Sequence, residues 1–187
     1  MNNIDRAYEY YKAYIQQEDL MNLLSEYNLK TAGSVPSVLW ELFGAMLTGR
    51  KGTGTTGADL LGWEVKSATV GSSFEYQYHL NTGAHKILED CEVNHLFCSY
   101  SKDYKCIDVR VMTGSELADS YFKAWEPLYY KNYQKNISSD LRRQRFRKSI
   151  SYGFVEKNGT LILQINDGNI TLRQDEILDF FNKSTGC

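Results

Sequence analysis

Three observations predict an α/β (α+β) fold for this sequence. Apolar residues recur at helical spacing as far as Gly49. Short β-rich runs then follow at residues 63–69, 93–100, 106–112, 150–156 and 160–165. Polar turns separate those runs, and a helical pattern interrupts them after Thr113. At 187 residues the chain is long enough to bury a core as one domain. With 42% hydrophobic residues and only two prolines, it is not a disordered chain.

The elements follow in order. Tyr8, Tyr11, Tyr14, Ile15, Leu20, Leu23, Leu24 and Tyr27 mark two short helices broken near Gln17 to Asp19. Their apolar stripe is either core or a dimer interface. Ser34 and Pro36 open the next helix, whose stripe is Val38, Leu39, Leu42, Phe43, Met46 and Leu47, with Gly49 as its close. Trp63 to Thr69 is a strand, and Gly71 to Asn81 is extended, with Phe74, Tyr76, Tyr78 and Leu80 on one face. Val93–Tyr100 and Cys106–Met112 pair around a polar tip, Asp103-Tyr104-Lys105. Thr113-x-x-Glu116 is a capping box opening a helix through Leu117, Tyr121, Trp125 and Tyr129. Ile150–Glu156 and Thr160–Ile165 read as a last hairpin turning at Lys157-Asn-Gly159. Thr171-x-x-Gln174 caps a final helix through Leu178, Phe180 and Phe181.

Composition excludes several classes. No run approaches the roughly 18 apolar residues of a membrane span. The four cysteines lack C-x-x-C spacing and the start lacks a secretory apolar region, which predicts reduced thiols in a cytoplasm. His85 and His95 are isolated and read as structural, and no His/Cys group has zinc-ligand spacing. The net charge of −2 argues against a generally basic surface, though not against a local basic cleft. Gly52-Thr-Gly54-Thr-Thr-Gly57 matches a dinucleotide-binding pattern, but here a helix precedes the glycines and a strand follows them, the reverse of what that chemistry needs.

Chemistry concentrates at Asp59-Leu-Leu-Gly-Trp-Glu64-Val-Lys66. Alternation along a strand puts Glu64 and Lys66 on one face and turns Trp63 and Val65 to the other. A turn at Leu60–Gly62 returns Asp59 beside Glu64. Two carboxylates can hold a hard cation such as Mg2+, and a lysine can orient or deprotonate a water. The plain alternative is a solvated hairpin. Glu41 lies off its helix stripe, either solvated or close enough to add a further acid. Between Lys131 and Lys148, seven basic residues, among them Arg142, Arg143, Arg145 and Arg147, face a single acid, Asp140. This run is either a solvated face or, with Asn136 and its polar neighbours, a set of phosphate and base contacts.

Residues 37 to 155 resemble the PD-(D/E)XK nucleases, and more narrowly the PvuII-like type II restriction endonucleases. The resemblance rests on Gly49-Arg50, Glu64-Val-Lys66-Ser67, Phe74…His79-Leu-Asn81, the Lys-Ala-Trp125-Glu helix and Asn136-Ile-Ser-Ser. It implies a mixed central sheet flanked by helices and Mg2+-dependent, sequence-specific hydrolysis of double-stranded DNA. In an ungapped match the family's first catalytic aspartate falls on Gly54, so that role passes to Asp59. Asp59 and Glu64 would then hold the metal with the Val65 carbonyl, and Lys66 would hold the water. Gln77, Tyr78, His79 and Asn81 would contact DNA, where the family's consecutive histidines are reduced to Gln77-Tyr78-His79.

The expectation is a single endonuclease domain over 1–187. Residues 1–33 would form a helical region suited to dimerisation, 34–112 the catalytic core, and 113–187 the DNA-contact segment with the C-terminal strands and helix. The enzyme would be a prokaryotic cytoplasmic homodimer working beside a cognate DNA methyltransferase. Its rivals are a subunit of a heteromeric restriction enzyme, a nicking or mismatch-repair-type endonuclease, and a non-catalytic DNA-binding module.

Overall fold

Alternation along the central strands decides which helices cover which face of the sheet. In the computed structural model, which describes residues 2–54, 57–133, 138 and 145–184, five strands form one sheet. They are β1 (Trp63–Thr69), β3 (Asn94–Tyr100), β4 (Ile107–Thr113), β6 (Thr160–Asn166) and β7 (Asn169–Arg173), in that spatial order. β1 and β3 are parallel, from Trp63 opposite Asn94 to Thr69 opposite Tyr100, and the other pairs are antiparallel. The protein is therefore a mixed α/β fold with a mostly antiparallel central sheet flanked by helices. β2 (Phe74–Tyr78) and β5 (Phe146–Ile150) form a separate antiparallel ribbon.

β3 is buried along its whole length, and its side chains feed two cores. Leu96 and Cys98 join Val109, Val111, Trp63 and Val65 under the N-terminal helices, where Ile4, Tyr11, Ile15, Trp40 and Phe43 pack. Phe97 faces the other way, with Phe74, Tyr76, Tyr78, Phe122 and Trp125. Each large apolar side chain so buried contributes roughly 1.5–3 kcal/mol, so both layers are needed to hold the sheet.

The first core is closed by α1 (Asn3–Tyr10), a π-helical continuation over Tyr11–Gln16, α2 (Glu18–Glu26) and α3 (Ser37–Thr48). The break falls where the sequence placed it, at Gln17, whose φ of 37° is left-handed. The N-terminal helices belong to this core: Ala7, Tyr11 and Ile15 are fully buried. Gly44 lets α3 lie flat on β1, since a Cβ there would meet Val65 Cγ2 at 2.8 Å. The buried face of α3 is Trp40, Phe43, Gly44, Leu47 and Thr48, whereas Val38 and Leu42 of the expected stripe are exposed. Leu39, Phe43, Met46 and Leu47 of that stripe do pack on the core, so the buried face is offset towards Trp40 and Gly44.

The second core carries α4 (Gly83–Asp90), for which the sequence suggested no element, and the helical stretch opened by Thr113. That capping box is present, leading into α5 (Gly114–Leu117), a π-helical turn at Ala118–Phe122 and α6 (Lys123–Asn132).

Several expectations are corrected. Ile150–Glu156 is no strand: Ile150 ends β5, and Ser151 caps α7 (Tyr152–Asn158) by accepting a hydrogen bond from Phe154 N–H. Thr171 lies in β7, and the last helix, α8 (Asp175–Ser184), starts after Gln174. Thr171 Oγ1 instead bonds Gln164 across the β6–β7 pair, so the threonine serves the sheet. Leu80 lies beyond β2 and is exposed. The tip residue Tyr104 is fully buried: Gly33 N–H and Val35 N–H donate to its hydroxyl, and its ring stacks 4.8 Å from Tyr100. Cys91, Cys98 and Cys106 are free thiols. No helix among the described residues is long and apolar enough to cross a membrane.

Candidate active site

The turn before β1 builds the site. Leu60 and Trp63 exchange backbone hydrogen bonds of 2.9 and 3.0 Å, and Gly62 supplies the left-handed residue at φ 76°. This closure brings Asp59 against the start of the strand, as the spacing predicts. β1 is the edge of the sheet, so its outward backbone groups need partners. Val65 N–H finds one in Asp59 Oδ2 at 2.9 Å, and Asp59 N–H donates in return to Glu64 Oε2 at 3.3 Å. Glu64 and Lys66 share a face as expected, with Lys66 Nζ 2.5 Å from Glu64 Oε1 and 4.8 Å above the Tyr76 ring. Val65 turns its side chain into the first core.

Two members of the cluster escape the sequence reading. From α4, Lys86 Nζ bonds Glu64 Oε2 at 2.8 Å and also Asp90 Oδ1. Asp90 is fully buried, and its other oxygen accepts from the Tyr78 hydroxyl at 2.8 Å. Lys86 and Asp90 are spaced i, i+4 on the helix. That spacing was the available signal, hidden because 82–92 shows little apolar periodicity. Behind them, His95 Nε2 lies 2.8 Å from the Asp90 carbonyl and Nδ1 lies 2.8 Å from the Tyr76 hydroxyl. A carbonyl only accepts, so Nε2 carries the proton and Tyr76 donates to Nδ1. His95 is structural, as expected.

Burial and neighbouring charge divide the carboxylates. Burial, reinforced by Glu64, pushes the Asp59 carboxyl up to about 6, against the pull of Lys66 and the Val65 N–H. Burial also opposes ionisation of Glu64, but the two ammonium groups and their hydrogen bonds outweigh it and hold Glu64 well below the usual range. Lys66 is disfavoured as a cation by burial yet raised overall by Glu64 and Asp59, so it stays charged. Asp90 is pushed up by burial despite Lys86.

Among the described residues, two clefts open onto the cluster. One, of about 340 Å3, is lined by Glu41, Asp59, Gly52, Gly54 and Gly57. Glu41 therefore does approach the site from α3, and its charge adds to the pressure on Asp59. The second, of about 250 Å3, is lined by Gly57, Asn81, His85, Lys86 and Glu89. A larger cleft of about 550 Å3, between α2 and the β3–β4 tip, contains none of the cluster residues.

Two carboxylates, Asp59 and Glu64, form an oxygen donor set suited to a hard cation, and a carboxyl whose ionisation is opposed by a neighbouring carboxylate gains most from one. Among the described residues, no three His, Cys, Asp or Glu side chains converge as a ready-made metal site.

The expected DNA-reading residues divide. Gln77 and His79 meet near the surface, 3.1 Å apart through their side-chain nitrogens, and Asn81 is exposed nearby. Tyr78 points the other way, 1% exposed, with its ring against Trp125 and Phe146. The β2–β5 register sets Gln77 opposite Arg147, and Arg147 Nη1 lies 3.6 Å from Glu75. Arg145 is exposed beside the ribbon. Asn136, Arg142 and Arg143 lie outside the described residues. No protein-family model matches the chain, and no curated protein matches it.

Proposed function

We propose that this protein is a PD-(D/E)XK nuclease of the PvuII-like type II restriction kind, hydrolysing double-stranded DNA at specific sequences with Mg2+. The observation that carries this reading is the convergence of Asp59, Glu64 and Lys66 at the turn into an edge strand, beside a cleft. Asp59 and Glu64 would hold the metal, with the Val65 carbonyl as a further oxygen. A bound ion would supply Lewis acidity at this site. Lys66, kept charged by Glu64, would orient the attacking water and stabilise the negative charge that develops on the phosphoryl oxygens. In this role it is a cation rather than a base. Glu41 is placed to add a further acid from α3.

The β2–β5 ribbon supports the readout half of the proposal. A two-stranded ribbon fits the major groove, glutamine can pair with adenine, and arginine with guanine. Gln77 and Arg147 stand opposite one another on its outer side, with His79 adjoining Gln77. Tyr78 supports the site from inside through Asp90. Cutting both strands of a palindrome requires two such sites, which a homodimer provides. A cytoplasmic setting with a cognate methyltransferase completes the proposal.

Digestion of a sequenced plasmid by the purified chain with Mg2+ tests it. Double-strand cuts at one recurring sequence are the expected result. Nicks alone would favour the nicking or mismatch-repair-type reading, and cutting only with a second subunit the heteromeric one. Binding without cutting would leave a DNA-binding module. If Asp59→Ala cuts normally and Glu41→Ala does not, the acid assigned to Asp59 belongs to Glu41.

A further inference from the structure

Both oxygens of Glu64 are already engaged by ammonium groups, Oε1 by Lys66 and Oε2 by Lys86 at 2.8 Å. Oε2 also accepts from Asp59 N–H at 3.3 Å, so both its lone pairs are in use and a divalent cation reaching Oε2 competes with Lys86 for one of them. Asp90 gives Lys86 an alternative partner one helical turn away, already in contact with the same Nζ. That partner is held firmly, with Asp90 Oδ2 fixed by the Tyr78 hydroxyl and its backbone carbonyl by His95. Lys86 also lines the second cleft and retains 15% side-chain exposure, so it has room to withdraw. The movement needs side-chain rotation alone, because donor and acceptor ride on one helix.

We propose that Lys86 is a displaceable counter-ion of the site. It neutralises Glu64 in the metal-free protein and retires onto Asp90 to open Glu64 to a divalent cation. This rests on the reading of Asp59 and Glu64 as cation ligands. Lys86 and Asp90 are positioning residues in this scheme, acting on the cation through Glu64.

The scheme fixes opposite signs for two substitutions in one salt bridge. Asp90→Asn removes the charge that draws Lys86 away and leaves Glu64 as its single anionic partner, so the cation binds more weakly. Lys86→Met removes the competitor, so the cation binds more tightly. Each change is expected to be about tenfold or more, as follows from gaining or losing one nearby charge at an effective dielectric of about 20. A bridge that merely supports the fold moves both variants the same way.

The test is Mn2+ binding to the metal-free full chain without DNA, followed by the paramagnetic resonance signal of the free ion. Parent, Glu64→Gln, Asp90→Asn, Lys86→Met and the double variant Lys86→Met/Asp90→Asn are compared. Asp90→Asn weaker than parent and Lys86→Met tighter is the expected result. If Lys86→Met does not fold, the double variant, which leaves neither charge unpaired, must bind more tightly than Asp90→Asn. Shifts of one sign, or double and single Asp90 variants that bind alike, overturn the counter-ion role while leaving the cation site standing. A parent that binds Mn2+ no better than Glu64→Gln overturns both.

Discussion

The chain contains two acid-x-lysine triplets, Glu64-Val-Lys66 and Asp103-Tyr104-Lys105, and their surroundings share almost nothing. In the first, the acid is 2% exposed and its two oxygens meet two ammonium groups, one from β1 and one from α4. In the second, Asp103 is exposed and turns inward on its own loop, accepting from Ser101 Oγ and Lys105 N–H. Lys105 leans out to Glu18 at 3.0 Å. A strand keeps acid and lysine on one face. At the tip, Tyr104 takes φ 59° and becomes the buried member, so the charged neighbours go to solvent. A site therefore arises from convergence under burial, and the triplet is only its local part.

The largest expected contrast is catalytic. Glu64→Ala and Lys66→Ala should each lower DNA cleavage by on the order of 10^3-fold or more, with cognate binding retained. Single-turnover digestion beside a binding assay checks this. Normal cleavage by either variant would make the buried triplet no more a site than the exposed one.

The second contrast is in pH. Burial holds His95, behind the site, down to about 3. Its contribution to stability is complete above the unfolded value near 6.5 and is lost as pH falls towards its folded value. Subtracting the pH-stability curve of His95→Gln from that of the parent should show on the order of 3 kcal/mol of loss between pH 7 and 4. A flat difference would mean that the ring is solvated.

Asp59 should act with the opposite sign and a smaller size. Its carboxyl is raised to about 6, so in the metal-free protein its contribution is complete below the unfolded value near 3.8. That contribution is lost as pH rises through 6. Asp59→Asn should therefore stabilise the metal-free chain at pH 7 to 8 by roughly 1–2 kcal/mol, while abolishing cleavage. Denaturant melts at pH 4 and pH 8 check it. An equal effect at both pH values would show that neither burial nor Glu64 raises the Asp59 carboxyl.

How far this contrast is legible in the sequence depends on contact range. The β1 face, the close of α3 at Gly49, the β3–β4 pair and the Thr113 capping box are local patterns and fall where the sequence places them, whereas the buried face of α3, which leaves Val38 and Leu42 exposed, does not. The half of the site that comes from α4 is not local: Lys86 reaches Glu64 across 22 residues through the crossover a parallel pair requires. Only Gly83, Ile87 and Asp90 of that helix are buried, too few for a period to show. The Ile150 error has the same origin. β5 is a strand because it pairs with β2, far back in the chain, and the one local mark of the boundary after Ile150 is the Ser151 cap of the helix that follows.

The smallest expected effect is the control that gives the others meaning. Asp103→Ala removes an acid that precedes a lysine by two residues, as Glu64 does. What it loses physically is two local hydrogen bonds, to Ser101 Oγ and Lys105 N–H, in an exposed turn. Water replaces both partners there, so the cost should be about 1 kcal/mol or less. The buried anchor of the tip, Tyr104, keeps its bonds to Gly33 and Val35 N–H, so the turn should hold its shape. Cleavage rate, metal dependence and DNA affinity should match the parent. A thermal melt and a plasmid digest on one preparation suffice. If cleavage falls as it does for Glu64→Ala, the exposed triplet takes part in the chemistry, and burial is not what distinguishes the two.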